Sequence, residues 1–137
     1  MPYSWGQSSL AQIATADPRL QTLCHRLIKR ADLPRDVRVL FGHRGKADQD
    51  KAFASGASKL RWPKSKHNSV PSLAVDIVVL DGGGVSWDWA HYNALAPIVK
   101  DEWAKMAAEG LTGGATLTWG GDWRSFKDGP HWELGNV

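Results

Sequence analysis

The sequence predicts an α+β domain with a small, mainly antiparallel sheet flanked by helices. A helical-period segment comes first, and the strand-like segments that follow are short and irregularly interleaved with helices and long loops. That order argues against the regular alternation of a parallel sheet. The length, 137 residues with 42% hydrophobic, suits one core and one domain spanning residues 1–137 and disfavours disorder.

Asp17 followed by Pro18 reads as an N-cap and first helical position. Leu20, Leu23, Cys24, Leu27 and Ile28 then repeat at helical spacing, so a helix is expected to about Ala31. VRVLF (37–41) alternates as a strand does, and GHRGKADQDKAF turns out of it into a short helix near 46–54. Residues 56–72, rich in Gly, Ser, Lys, Pro and Trp, read as a long loop. Residues 73–80 form the expected central strand and DGGG (81–84) a turn, which lacks the Lys-Ser/Thr that a phosphate loop requires. From Asp88 to Glu109 the pattern is helical, with Trp89, Tyr92, Leu95, Ile98, Val99, Trp103 and Met106 as the buried stripe. Pro97 is expected to kink that helix or to begin a second one. TGG (112–114) ends it, ATLTW (115–119) is a strand, and GGDWRSFKDGPHWEL supplies a loop and a last short strand.

The net charge of +3 hides an asymmetry. Residues 1–66 hold 13 Lys and Arg against 5 Asp and Glu, the remainder 4 against 9, so the two parts carry +8 and −5. The basic part suits an anionic polymer such as nucleic acid or a cell wall, or is simply a solvated face. Cys24 is the only cysteine, which excludes an internal disulfide and a thiolate metal cluster, and its position marks it as a core residue. MPYSWGQSSL has neither a charged n-region nor an apolar h-region, and no apolar run approaches the ~20 residues needed to span a bilayer. The expectation is a cytoplasmic protein without stable membrane insertion.

Asp76 interrupts the apolar run Leu73 to Leu80, where a lone charge is costly to bury. Either it faces water on an edge strand or a positive partner compensates it, the nearest candidate being a metal ion shared with His67. A second cluster, DGPHWEL, brings Asp128, His131 and Glu133. Two imidazoles and one carboxylate leave a fourth zinc position open, as in catalytic sites, and a nearby carboxylate can then activate water. The helical H-E-x-x-H arrangement is absent. By spacing alone His67 also reads as a surface histidine, and Asp128, within KDGP, as a turn residue.

SKHNSVPSLAVDIV, GGDW and FKDGPHWEL together resemble the zinc D-alanyl-D-alanine carboxypeptidase and Hedgehog-type superfamily, in particular its small phage endolysins, the L-alanyl-D-glutamate endopeptidases. WGQSSLAQIATADPRLQ and GHRGKADQDKAFASGASK extend the resemblance over nearly the whole chain. It implies a Hedgehog/D,D-peptidase-like fold and one zinc ion held by His67, Asp76 and His131. It further implies Asp128 as general base, Arg44 as the group that steadies the developing oxyanion, and Ser65 as a substrate contact. The commoner superfamily pattern separates its first histidine and aspartate by seven positions. Here the separation is nine, with NSVPS in place of a glycine turn, as in phage members reading His-Asn-x-x-Pro-Ser-x-Ala-Val-Asp.

The expected function is therefore zinc-dependent cleavage of the peptidoglycan stem peptide for phage lysis, by a monomer held in the host cytoplasm until lysis. Competing expectations are a D,D- or L,D-carboxypeptidase of the same superfamily, a non-catalytic zinc-bearing cell-wall module, and a nucleic-acid binder supported only by the basic N-terminal half. Glu133 reads as a second candidate base or as the orienter of a ligand histidine, and Asp122 as a loop organiser or substrate contact. His25, His43 and His91 read as structural, His43 having the best chance of lining a cleft, and Trp62 is a candidate flank for peptide or glycan.

Overall fold

The computed structural model describes residues 3–137. Residues 1 and 2, part of the segment MPYSWGQSSL, lie outside the described residues. The elements run α1 (Gln7–Ile13), α2 (Pro18–Leu27), β1 (Val37–Phe41), α3 (Lys46–Ala54), β2 (Ala74–Asp81), β3 (Gly84–Ser86), α4 (Trp89–Ala108), β4 (Thr116–Trp119) and β5 (His131–Gly135). Single 3₁₀ turns stand at Lys66–Asn68 and Gly120–Asp122. The α+β expectation holds, and every strand pairing is antiparallel.

β2 is the centre of the sheet, buried from Ala74 to Val79. β1 covers one edge, with Val39 opposite Ile77 and an irregularity that brings Phe41 opposite Asp76. On the other edge β5 pairs with the first half of β2 and β3 with the second half, while β4 extends the sheet beyond β5. The β2–β3 hairpin turns on Gly82 and Gly83, both at positive φ (61° and 87°), where a side chain would strain the backbone. One register pair matters most for function: Asp76 on β2 lies directly opposite His131 on β5.

The core lies between the sheet and the helices. Asp17 caps α2 through the Arg19 amide, as expected, and α2 buries Leu20, Leu23, Cys24 and Leu27. Against it α4 buries Tyr92, Leu95, Val99, Trp103 and Met106. Glu102, also buried, accepts from Arg26 (2.7 Å) and Arg30 (3.2 Å) and ties the two helices together. Trp119 stacks on Trp132 at 5.8 Å beneath β4 and β5. Among the described residues, no helix is long and apolar enough to cross a membrane.

Several local expectations change. α2 stops at Leu27, where tight turns through Lys29 and Arg30 replace the last turn expected to Ala31. α4 continues as one helix through Pro97, so no second helix begins there, its tertiary packing outweighing the lost amide donor. Trp89 is 43% exposed at the first position of α4, in a T-shaped pair with Trp119, and Ile98 is partly buried. α1 and β3 were not expected, because QSSLAQI buries only Ser9 and Ile13 and GVS is too short to show a period.

Cys24 is fully buried, and burial pushes its thiol up to about 12. It will therefore resist a thiol reagent such as 5,5′-dithiobis(2-nitrobenzoic acid) at pH 8 in the native protein and react stoichiometrically after unfolding in guanidinium. Rapid labelling of the native chain would show that α2 opens locally.

Candidate metal centre and active-site cleft

Three ligand-type side chains converge from three places in the sequence. The 3₁₀ turn Lys66–Asn68 carries His67. Its N-cap, Ser65, accepts from the His67 amide, and Asn68 returns a bond to the Ser65 amide, a reciprocal cap that fixes the turn. β2 and β5 carry Asp76 and His131 as a cross-strand pair. His67 Nε2 lies 3.1 Å from Asp76 Oδ1, His131 Nδ1 lies 3.3 Å from the same oxygen, and the two nitrogens are 3.3 Å apart. All three residues are buried.

The outer nitrogens determine what the inner ones can do. His67 Nδ1 donates to the Gly42 carbonyl at 2.8 Å, and His131 Nε2 donates to Glu133 Oε1 at 2.8 Å. With those protons committed, the neutral imidazoles present bare lone pairs to each other and to a carboxylate oxygen. Three acceptors facing one another repel unless a proton or a cation lies between them. Donors around a tetrahedral ion at roughly 2.0–2.1 Å stand roughly 3.3 Å apart, which matches the spacing of these atoms. The trio therefore fits a divalent ion, with two outer-shell hydrogen bonds that fix ring orientation.

Charges within the cluster follow the same logic. Burial opposes ionisation of Asp76, but His67 and His131 more than offset it and hold the carboxyl well below the usual carboxylate range. Burial lowers the His131 imidazolium as well, yet hydrogen bonds to Asp76 and Glu133 win and raise it to about 9. Arg44 Nη2 also donates to Asp76 Oδ2 at 3.2 Å. The carboxylate within the apolar run is thus compensated by a guanidinium in addition to the cluster it faces.

Asp128 sits beside this centre on the loop into β5. Its amide donates to the Gly120 carbonyl (3.1 Å), its carbonyl accepts from the His131 amide (3.3 Å), and the next carbonyl, Gly129, accepts from the Trp119 indole (2.7 Å). The loop is thus anchored to the core on both sides of the carboxylate. Burial, and then the charge of Asp76, pushes the Asp128 carboxyl up to about 6 against the opposing influence of His131, His67 and Arg44. That value lies in the range suited to a general base near neutrality.

Sequence reasoning missed the frame around these groups. Gln49, fully buried on α3, accepts from Arg44 Nη1 (3.1 Å) and Asn68 Nδ2 (3.2 Å), and donates to Ser58 Oγ (3.0 Å) and the Leu60 carbonyl (2.6 Å). One amide thereby joins the arginine, the His67 turn and the loop before it. Gly42 is the second member. Its carbonyl holds His67, and a Cβ there would lie 2.2 Å from the Gln12 carbonyl, so α1 is the wall against which it is set.

A cleft of about 600 Å³ opens over the centre and is lined by Arg44, Ser65, His67, Asp76, Asp128, His131 and Glu133, the expected site residues among them. Trp87, Trp123 and Phe126 supply its aromatic wall, with the Trp123 ring 5.0 Å from that of His131. Trp62 is exposed and does not line the cleft. His43 does not either, and its Nδ1 meets the Ser69 carbonyl. His91 bonds Ser86, His25 lies on the exposed side of α2, and Asp122 pairs with Lys100 of α4, away from the cleft. Glu133 has the orienting position, between His131 and Lys66 (3.3 Å).

Comparison with known proteins agrees with this geometry. A family model described as phage L-alanyl-D-glutamate peptidase matches residues 1–134. The L-alanyl-D-glutamate peptidase of Escherichia phage T5 is 30% identical over 134 residues, covering 93% of this chain and 87% of its own. The Bacillus subtilis (strain 168) peptidoglycan L-alanyl-D-glutamate endopeptidase CwlK is 31% identical over 107 residues, 72% of this chain and 60% of its own. Among solved structures, the L-Ala D-Glu endopeptidase ChiX of Serratia marcescens superposes with a TM-score of 0.72 at 28% identity, covering 93% of this chain and 86% of that one. In sequence, and in the fold it shares with ChiX, the chain belongs to the phage L-alanyl-D-glutamate peptidase family.

Proposed function

We propose that this peptidase is a zinc-dependent endopeptidase that cleaves the L-alanyl-D-glutamate bond of the peptidoglycan stem peptide in phage lysis. In this reading residues 1–137 act as one catalytic domain and as a monomer, held in the host cytoplasm until lysis. The observation that carries it is the convergence of His67, Asp76 and His131 on one point of the cleft with Asp128 beside them. The relatives named above support the choice of bond, and two imidazoles at tetrahedral spacing support zinc.

The chemistry that a bound divalent cation supplies here is Lewis-acid polarisation of the scissile carbonyl and of water. His67, Asp76 and His131 would hold it, with Gly42 and Glu133 keeping the imidazole lone pairs aimed inward. Asp128 takes the proton of the attacking water on a carboxylate oxygen and returns it to the amide nitrogen as the carbon–nitrogen bond breaks, leaving a carboxylate on alanine and an amine on glutamate. Arg44, buried in the cleft lining, holds Asp76 in place through Nη2 and contributes fixed positive charge toward the carbonyl oxygen. Ser65 fixes the His67 turn from the cleft wall, where its hydroxyl hydrogen is free for substrate.

The test is digestion of purified peptidoglycan by chelator-stripped protein, with and without added zinc, read by mass spectrometry. Stripped protein will release nothing, and zinc will restore peptides with a new D-glutamate amino end. Release of free D-alanine would instead indicate a carboxypeptidase, and full activity of stripped protein would refute the metal requirement.

A further inference from the structure

The endopeptidase reading, on which this inference rests, has a consequence for charge in the cleft. A glutamate bonded through its amine has two carboxyls and uses only one to continue the chain. The residue released on the amine side of the cut therefore presents a second carboxyl group close to the scissile nitrogen, a carboxylate at neutral pH unless it is amidated. The cleft already carries Asp76, Asp128 and Glu133, which would repel that anion unless cations face it.

Four basic residues line the cleft: Arg44, Lys59, Lys64 and Lys66. Two are committed to the site's own carboxylates, Arg44 to Asp76 (3.2 Å) and Lys66 to Glu133 (3.3 Å). Among the described residues, Lys59 and Lys64 line the cleft without a carboxylate partner, although six other Lys and Arg residues of the chain have one at 2.9 Å or closer. Lys64 stands three residues before His67, so its backbone is within roughly 10 Å of that ligand by chain reach alone. Lys59 holds its ammonium 5.3 Å from the centre of the Phe126 ring, which belongs to the loop that carries Asp128. Gln49 fixes the segment on both sides of Lys59 through Ser58 and Leu60.

We infer that Lys59 and Lys64 form an anion subsite that receives the free carboxylate of the glutamate following the scissile bond. The subsite makes that charge a specificity determinant, so the enzyme distinguishes substrates by whether the carboxylate is free or amidated. It also gives the basic segment before His67 a defined task in addition to attraction to an anionic wall.

The zinc-loaded protein would be assayed on two synthetic stem peptides that differ only in this group, one with the free carboxylate and one with the carboxamide. Lys59→Gln, Lys64→Gln and the double variant serve as probes, and both lysines are exposed, so the fold is undisturbed. Wild type will prefer the acid. Each substitution will raise KM for the acid about threefold and the pair about tenfold, as for solvent-exposed ion pairs, with KM for the carboxamide unchanged. Arginine at both positions will restore the preference. Equal effects on both peptides, or none on either, would overturn the subsite while leaving the endopeptidase standing. Failure of wild type to cut either peptide would overturn the endopeptidase reading and the subsite with it.

Discussion

Asp128→Asn will lower kcat/KM on a stem-peptide substrate by roughly 100- to 10,000-fold, the usual contribution of a positioned general base, without loss of metal affinity. Asparagine has the shape of aspartate, and the loop is held by the backbone of residues 128 and 129, which the substitution leaves intact. Asp128 is also absent from the three-atom cluster that could hold the ion. Removing its charge relieves repulsion with Asp76, so the melting temperature will stay level or rise slightly. Glu133→Ala makes the contrast. It removes the acceptor of the His131 Nε2 proton and will weaken metal binding about 10- to 100-fold, as outer-shell losses do, with turnover recovered at saturating zinc. Steady-state kinetics at several zinc concentrations, with a zinc titration of each variant, separates the two. Loss of zinc by Asp128→Asn would make Asp128 a ligand.

The parts of the fold that could be read from the sequence are those where one residue carries a local rule. Asp17 and Pro18 marked the start of α2 because a cap acts on neighbouring amides. The apolar run of β2 marked the central strand, and within it Asp76 stood out because its neighbours could not tolerate an uncompensated charge. His67, Asp128 and His131 were found through ordered motifs, and the cross-strand register then brought two of the ligand-type groups face to face. The supporting frame acts through space and left no such mark. Gln49 is one polar residue in a short helix whose only buried residue is Gln49 itself, and its four partners span Arg44 to Asn68. α1 buries so little that no period emerges, although Gly42 is fitted against it. Trp89 met the helical period but falls at the first position of α4, where it stays largely exposed.

GGDW shows how a glycine can serve the site without lining it. Gly120 lies at the end of β4, and a Cβ there would lie 2.4 Å from the Asp128 carbonyl oxygen and 3.0 Å from the Cβ atoms of Asp128 and His131. Backbone does not yield as a flexible side chain does, so Gly120→Ala must push residues 128–131 outward or tilt β5. Overpacking of this kind costs roughly 1–3 kcal/mol, and a displacement near 1 Å at catalytic groups costs roughly 100-fold in rate. The variant will therefore fold with a lower melting temperature and lose both turnover, through Asp128, and zinc affinity, through His131. Asp128→Asn loses only the first, so the pair distinguishes a displaced base from an absent one. Wild-type activity in Gly120→Ala, with unchanged zinc affinity, would mean that the approach of Gly120 to Asp128 and His131 does not set the geometry of the centre.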